Sequence, residues 1–339
     1  MGRSLIHERY EATRARLPRV ELLDTPTPVR ELTRLSEAAA GGHPLWLKDD
    51  SLSAPLWGGN KPRKLEWVIG DAKARGFGTI LTFGGLGTNH GLATARYAGA
   101  QGLQTVLALV DQPVDDHLKS QLDRIRASGA VVHLTHTKAR TLASLPYLTA
   151  RYAQVRPPRP PYLLAPGGSS PMGALGFVEA ALELADQVAR GELPAPDTVV
   201  LALGSGGSAA GLLAGLRLAG LGTRVRPVLV NDGLDLREKK LYGLADKALG
   251  LLESRGADVG GISLRAGDLK VVHGFMGDGY GHSTPEGEAA VGLARDCEGL
   301  ELEPVYTAKT LAALLDGVGR GEFGSGPVLF WNTHSAVPA

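Results

Sequence analysis

The stretch from Gly58 to Glu66 (GGNKPRKLE) joins a flexible turn to a cluster of basic side chains. Its glycines and asparagine can take the positive φ values that bulkier residues avoid, and Pro62 suits the first position of a helix. Lys61 then projects from a turn, where partial desolvation would lower its pKa and make its amine a usable nucleophile. The alternative is a solvated basic first turn of a helix, which this motif alone favours because most lysines lie on protein surfaces.

A second candidate site follows the apolar run at 198–203, where small residues open a predicted helix: Gly204, Ser205, Gly206, Gly207 and Ser208. Backbone N–H groups in such a segment can approach an anion, which the helix dipole favours. The Gly-Lys-Ser/Thr ending of the nucleotide P-loop is absent. The segment does fit G-x-G-x-x-A through Ala209, and Asp232 ends the next strand, so NAD binding is one alternative. A close helix–sheet contact without a ligand is the other.

A third glycine-rich helix start covers residues 84–90. Thr88 and Asn89 offer short hydrogen-bonding side chains to a carboxylate or phenolic oxygen, although a plain N-cap would explain Thr88 alone. His90 fits a supporting or solvent-facing residue better than a metal ligand, because no second histidine follows at helical spacing. We therefore predict no metal site.

Two tyrosines, Tyr280 and Tyr306, lie in turn-like segments. Tyrosines in loops usually pack with one satisfied hydroxyl group, but they can also donate a phenolic proton or stack on a ring. Both interpretations stay open from the residues alone.

The composition bounds the class of protein. A length of 339 residues suggests more than one core, and 43% hydrophobic and 21% charged residues are typical of a soluble globular protein. Lys and Arg (36) nearly balance Asp and Glu (35), which argues against nucleic acid or an anionic membrane as the main partner. A single cysteine excludes an intrachain disulfide. The sequence shows no secretory signal pattern and no membrane-spanning run, so a cytoplasmic location is the default expectation.

Short apolar runs alternate with helical patterns from about residue 45. The predicted strands are 45–48, 79–83, 106–110, 131–134, 162–164, 198–203, 225–230 and 328–331. The predicted helices are 5–17, 62–74, 88–100, 115–127, 138–152, 173–189, one from the 204–208 segment to about 220, 234–254, 286–297 and 307–318. Strands and helices that alternate through short glycine turns predict an α/β fold of open parallel sheets with helices on both faces.

Together these motifs resemble the pyridoxal-phosphate enzymes that comprise D-cysteine desulfhydrase and 1-aminocyclopropane-1-carboxylate deaminase. The lysine motif at 58–66 is the most specific element, and segments 84–90, 166–176, 204–207 and 304–309 also match. The resemblance implies the tryptophan-synthase-β-like fold (fold type II), with pyridoxal 5'-phosphate between two domains. Residues 1–64 and 167–339 would form the large cofactor-binding domain, and residues 65–166 an inserted small domain.

The resemblance also implies roles for individual residues. Lys61 would bond to the cofactor aldehyde, Asn89 would contact its phenolic oxygen, and Thr307 would contact its ring nitrogen. The phosphate would bind at Gly204, Ser205, Gly206, Gly207 and Ser208. Catalytic roles are implied for Lys61, Thr88, Tyr280 and Tyr306, and substrate contacts for Thr88, Asn89, His90, Tyr280, Tyr306 and Thr333.

Thr307 and Thr333 favour the desulfhydrase within this family. The cyclopropane deaminase has a glutamate at the position of Thr307, and its charge strengthens electron withdrawal by the ring. A hydroxyl group would give a weaker electron sink, which suits prompt loss of a good leaving group from Cβ. Gly87, Thr88 and the segment 91–93 depart from the family's substrate loop, so a shifted substrate is also plausible.

We therefore expect a pyridoxal-phosphate-dependent lyase that converts a small amino acid to an α-keto acid and ammonia by β-elimination. The resemblance implies a homodimer. Ring-opening deamination of a cyclopropane amino acid on the same scaffold is one alternative. An NAD-dependent dehydrogenase that uses residues 204–209 is another, although that motif lies late in the chain and leaves Lys61 unexplained. A non-catalytic cofactor-binding protein is a third.

Overall fold

The structure is a computed structural model that describes residues 3–112 and 116–337. Its strands are β1 (Val29–Glu31), β2 (Leu45–Asp49), β3 (Thr79–Gly85), β4 (Gln104–Val110), β5 (Val131–His136), β6 (Gln154–Val155), β7 (Pro158–Arg159), β8 (Tyr162–Leu163), β9 (Thr198–Leu203), β10 (Arg224–Leu229) and β11 (Val328–Asn332). Its helices are α1 (Leu5–Arg9), α2 (Thr33–Ala39), α3 (Asn60–Ala74), α4 (Asn89–Ala100), α5 (Asp116–Ala127), α6 (Lys138–Arg151), α7 (Pro171–Ala189), α8 (Gly207–Leu218), α9 (Glu238–Ser254), α10 (Pro285–Glu298) and α11 (Thr307–Gly319). The α/β fold expected from the sequence is confirmed.

The first sheet has the strand order β1-β2-β11-β9-β10, in which only the β1–β2 pair is antiparallel. Strand β11 lies in the middle, with Val328 opposite Leu45 on one side and Thr198 on the other. Because β2, β9 and β11 are parallel, the loops that follow them emerge at the same edge. One edge of this sheet thus gathers the lysine motif, the segment from Gly204 and the residues after Asn332.

The second sheet has the order β5-β4-β3-β8, with all strands parallel. A short antiparallel pair, β6 and β7, lies outside both sheets. All strands of the second sheet come from residues 79–163. This membership supports the predicted division into a large domain and an inserted small one, whose boundaries stay a prediction.

Both faces of the first sheet are covered, and neighbouring residues of a strand pack on opposite sides. On β9, Val199 and Leu201 belong to a core cluster with α3, α7 and α8, whereas Val200 and Ala202 pack with α10 and α11. Such double burial explains why β9 is apolar at nearly every position rather than alternating. Among the described helices, none is long and apolar enough to cross a membrane.

Several predicted boundaries need correction. Helix α3 begins at Asn60 rather than Pro62, so Lys61 lies in its first turn and not before it. The predicted helix at 5–17 ends at Arg9, because the backbone of Tyr10 leaves the helical region, and a 3-10 turn follows. Strand β1 and helix α2 were missed, since the prolines around residue 27 indicated only extended chain. The predicted start of α5 near residue 115 lies outside the described residues.

Candidate active site

A cavity of about 560 Å³ lies between the two sheets and is lined at their carboxyl edges. This volume suits a small-molecule ligand. Eleven of the residues proposed from the sequence line the cavity: Lys61, Thr88, Asn89, His90, Gly204, Ser205, Gly206, Ser208, Tyr280, Tyr306 and Thr333. Gly207 and Thr307 complete the proposed set but are not among the described lining residues. The described residues contain no group of three or more His, Cys, Asp or Glu placed to hold a metal ion.

Lys61 is a partly buried amine in the first turn of α3. Gly59 precedes this helix with a φ of 77°, a conformation that favours glycine and lets the chain turn from the loop into α3. Burial lowers the pKa of Lys61 to about 8, and the negative charge of Glu303 offsets part of that effect. At pH 7 the amine is therefore neutral in roughly a tenth of the molecules, far more than for an ordinary lysine with a pKa of about 10.4, and the neutral form is the one a nucleophile requires.

Asn60 links this amine to the start of α8. Its Oδ1 accepts a hydrogen bond from Lys61 Nζ at 2.6 Å, and its Nδ2 donates to Ser208 Oγ at 3.1 Å. Asn60 was predicted only as a turn residue with positive φ, whereas it is helical and links two parts of the site. The bridge fixes the amine relative to the small-residue segment of α8.

Two further nitrogen-bearing side chains on the cavity wall are buried. Lys64 donates from Nζ to the carbonyl of Gly167 at 2.9 Å, and burial followed by the charge of Lys61 places its pKa well below the usual range. His90 Nε2 lies 3.1 Å from Thr82 Oγ1, and burial likewise places the pKa of His90 well below its usual range. The solvent-facing alternative for His90 is thus wrong, and Lys64 was missed, although its spacing from Lys61 puts both on one helix face.

The start of α8 offers backbone donors to an anion. Gly206 precedes the helix with a φ of 88° in the left-handed region. The N–H of Gly207 donates to Ser169 Oγ at 2.9 Å, and Ser169 Oγ in turn donates to Ser205 Oγ at 2.8 Å. Ser169 therefore already engages one backbone donor of this segment. Asp232, the acidic residue of the dinucleotide alternative, is not among the described lining residues of this cavity.

Helix α4 begins with the polar side chains expected from the sequence. Thr88 is its N-cap, and Thr88 Oγ1 accepts the N–H of Gly91 at 3.1 Å, which leaves its hydroxyl hydrogen available to a ligand. Asn89 Oδ1 accepts from Gln121 Nε2 at 2.5 Å, so the Asn89 amide group is left with its two N–H donors. Both the N-cap interpretation and the cavity position of Thr88 are correct.

Tyr280 and Tyr306 form a hydroxyl pair on the cavity wall. Their Oη atoms lie 2.6 Å apart, and the rings meet edge to face with centroids at 6.0 Å. Burial raises the pKa of Tyr280 and places that of Tyr306 well above its usual range, where the charge of Tyr280 adds to the effect. Both phenols therefore stay protonated at neutral pH. One hydroxyl donates to the other, so the pair has one hydroxyl hydrogen left for a ligand.

The turn before α11 differs from the arrangement that the resemblance implies. Thr307 is 1% exposed, and its hydroxyl accepts the N–H of Glu303 at 3.0 Å. Glu303, which was not predicted as a site residue, lines the cavity, whereas Thr307 is not among the described lining residues. The role of Thr307 toward a ring nitrogen stays a prediction.

Beneath the cavity, Arg63 anchors α3 through buried ion pairs. Its guanidinium donates to Asp50 at 2.8 and 2.9 Å and to Glu183 at 3.0 and 3.1 Å. Lys48 Nζ also donates to Glu183, and Trp331 Nε1 to Asp50. The four charges balance, and they tie α3 to β2, α7 and β11 so that Lys61 is held at the edge of the first sheet.

Comparison with known proteins agrees with this geometry. The family model described as "Pyridoxal-phosphate dependent enzyme" matches residues 20–334. D-cysteine desulfhydrase of Salmonella choleraesuis is 34% identical over 330 residues, which cover 95% of each chain. The D-cysteine desulfhydrase of Salmonella paratyphi A is 33% identical over 331 residues, with the same coverage.

Solved structures share the fold. The crystal structure of an ACC deaminase homologue has a TM-score of 0.82 and 30% identity, and covers 98% of this chain and 96% of its own. Serine racemase from Dictyostelium discoideum has a TM-score of 0.63 at 18% identity, with 92% and 93% covered, so this likeness concerns the fold alone.

Proposed function

Since the chain belongs to the family of pyridoxal-phosphate-dependent enzymes, we propose that it is a lyase that removes the β substituent and the amino group from D-cysteine or a similar small amino acid. The relatives at 34% identity are D-cysteine desulfhydrases, and the family match does not favour an NAD-dependent dehydrogenase. The single observation that carries the proposal is Lys61, a desolvated amine that shares a cavity with the small-residue start of α8.

The residues of the cavity fit a phosphate-bearing aldehyde. Lys61 supplies an amine that can be neutral, and the start of α8 with Ser205 and Ser208 supplies donors for a phosphate. Asn89 presents N–H donors to a phenolic oxygen. When bound, pyridoxal phosphate withdraws electrons from Cα of an amino acid substrate.

The protein's own side chains would have different roles in the reaction, according to their charge and protonation state. The Thr88 hydroxyl and the N-terminus of α4 would bind the substrate carboxylate. Lys61 Nζ would take the proton from Cα, because its lowered pKa of about 8 suits a base at physiological pH. The hydroxyl hydrogen left over from the Tyr280–Tyr306 pair would be donated as a hydrogen bond to the leaving sulfur. The unsaturated amine product takes up one water and yields an α-keto acid and ammonia, with the sulfur released as hydrogen sulfide.

The visible spectrum of the purified protein tests this function. We expect a coloured protein that bleaches with borohydride, and mass mapping that places the reduced adduct on Lys61. Lys61→Ala should abolish turnover and the adduct, whereas Lys73→Ala, which changes an exposed lysine of the same helix, should leave both unchanged. Absence of a cofactor adduct on Lys61 after incubation with pyridoxal phosphate would refute the proposal.

Substrate choice is tested by turnover of D-cysteine, L-cysteine and 1-aminocyclopropane-1-carboxylate under the same conditions. We expect sulfide from D-cysteine and no ring opening of the cyclopropane substrate. Faster turnover of the cyclopropane substrate would transfer the assignment to the deaminase reaction. If none of these amino acids shifts the visible spectrum of the bound cofactor, a non-catalytic cofactor-binding protein is favoured.

We further propose that the protein is a cytoplasmic homodimer, on the strength of the family resemblance and of a net charge of only +1, which gives little attraction to nucleic acid or membranes. Analytical ultracentrifugation of the cofactor-loaded protein tests the dimer. A sedimentation coefficient typical of a 35.5 kDa monomer at micromolar concentration would contradict it.

A further inference from the structure

The segment 273–284, which precedes α10, contains no helix or strand and carries Tyr280 to the cavity wall. All four glycines of this segment have φ values between 66° and 129°, a range that other residues rarely adopt. A chain this rich in glycine loses much conformational entropy when it is ordered. The position of the Tyr280 side chain therefore depends on contacts that hold the segment to the rest of the molecule.

A lysine from α11 holds the backbone of this segment. Lys309 Nζ donates a hydrogen bond to the carbonyl of Met276 at 2.6 Å. The other described hydrogen bond between residues 273–281 and a side chain outside the segment is the one that joins the hydroxyl groups of Tyr280 and Tyr306. The segment is thus held at two points, one on its backbone and one at the tyrosine itself.

The Met276 carbonyl lies at the start of a tight turn. Gly277 follows with a φ of 66°, and a Cβ at this glycine would lie 2.5 Å from Cγ2 of Thr284, the N-cap of α10. The chain therefore returns to its own base within a few residues, and the loop between these two points carries Tyr280. A hydrogen bond at the base of the loop limits the positions that Tyr280 can reach.

Packing alone does not account for a lysine at position 309. The residue is 0% exposed, and the acceptor of its hydrogen bond is a neutral carbonyl rather than a carboxylate. Burial lowers the pKa of Lys309, and the charges of Glu303 and Asp232 offset part of that effect. A buried amine costs more free energy than an apolar side chain of the same length. The contact with Met276 is what the amine provides in return.

We propose that Lys309 is a positioning residue, whose hydrogen bond to the Met276 carbonyl keeps the Tyr280 hydroxyl against that of Tyr306 at the cavity wall. Without this bond the segment would sample other conformations, and the hydroxyl pair would form for only part of the time. The consequence for turnover rests on the proposed function, in which the pair donates a hydrogen bond to the leaving sulfur. The consequence for the segment itself does not.

Limited proteolysis of the cofactor-free protein tests the contact without any reaction. Chymotrypsin cleaves after aromatic residues, and the segment offers Phe275 and Tyr280. Lys309→Met keeps the length of the side chain but cannot donate, so cleavage at these two sites should be roughly 10–100-fold faster, in line with loss of a charge-assisted hydrogen bond. Lys270→Met, which changes an exposed lysine just before the segment, is the matched control and should leave the cleavage rate unchanged.

A double-mutant cycle on the cofactor-loaded enzyme shows whether Lys309 acts through Tyr280. Lys309→Met and Tyr280→Phe should each lower kcat by roughly 10-fold, with a smaller change in KM. The double variant should be no slower than the slower single variant, because the second change removes a hydroxyl that is already out of place. Losses that multiply would contradict the positioning role.

An unchanged rate of cleavage in Lys309→Met would also overturn the assignment. Lys309→Gln, which lacks the ammonium group and is shorter, repeats the test if Lys309→Met does not fold. Failure of both variants to fold would show that Lys309 supports the whole fold rather than this segment, which contradicts the proposal. Faster cleavage in a protein that turns over no amino acid would retain the positioning role and refute the proposed function alone.

Discussion

The basic side chains on the first turns of α3 differ in whether acidic groups compensate their charge. Arg63 faces Asp50 and Glu183, so its buried charge is compensated. Lys61 and Lys64 face the cavity, where Glu303 is the nearby acid and burial lowers the pKa of both amines. A buried charge with its partner in place stays ionised, and removal of that partner is costly, whereas a buried amine without such a partner loses its proton readily and can react.

Glu183 shows the effect of such compensation on an acid. Burial alone would raise the pKa of Glu183, but Arg63 and Lys48 outweigh it and lower the pKa to about 2. The folded-state pKa lies below the unfolded one, so this group contributes stability above about pH 4.5 that is lost as pH falls toward 2. Glu183 therefore stays ionised across the range in which Lys61 titrates.

Replacement of Arg63 by Met should give the largest effect. Removing one member leaves Asp50 and Glu183 buried without their main counter-charge, which costs about 3–5 kcal/mol of unfolding free energy. Denaturant titration of the cofactor-free protein measures this loss. Arg75→Met is the matched control, because Arg75 is 57% exposed in its pair with Asp71 and such a solvated pair contributes about 0–1 kcal/mol. Equal losses in both variants would contradict the distinction between a buried ion pair and a solvated one.

The pH dependence of cofactor capture should distinguish Lys61 from a solvated lysine. Only the neutral amine attacks an aldehyde, so the capture rate of the cofactor-free protein should rise with pH and level off above about pH 8. Stopped-flow absorbance after mixing with pyridoxal phosphate follows the reaction. An N-acetyl-lysine control should continue to accelerate up to about pH 10.4. A protein profile that follows this control would show that Lys61 is solvated.

Replacement of Lys64 by Met should have the smallest effect. It removes the hydrogen bond to the Gly167 carbonyl but also a costly buried amine, so stability at pH 7 should change by no more than about 1 kcal/mol. Because the folded-state pKa of Lys64 is lowered, the unfolded chain binds more protons up to about pH 10.5. The wild type should therefore gain stability relative to Lys64→Met as pH rises through that window. A loss comparable to that of Arg63→Met would mean that Lys64 has a compensating charge.

Much of the site could be predicted because its positions depend on local chain chemistry. The lysine motif, the small residues at Gly204 and the cap at Thr88 each lie where a strand ends, and parallel strands bring such ends together. Helix α3 and strand β9 could also be predicted, because their apolar patterns are local features of the sequence.

The remainder depends on contacts between distant residues. Nothing in the sequence around Glu183 indicates that it meets Arg63, which lies 120 residues away. Glu303 was missed because it reads as an ordinary polar residue before a proline, and only the folded turn shows that it, rather than Thr307, lines the cavity. The roles of Asn60 and Ser169 were missed because their partners lie on α8, far along the chain.

The middle position of β11 has a consequence for biosynthesis. The backbone carbonyl of Thr333 accepts the N–H of Asn60, and Ser335 Oγ accepts that of Gly58, so the loop before Lys61 is closed by residues translated long after it. A nascent chain on the ribosome can form the second sheet early, but its first sheet lacks a centre until residues 328–332 emerge. Loading of the cofactor should therefore be a late, post-translational event.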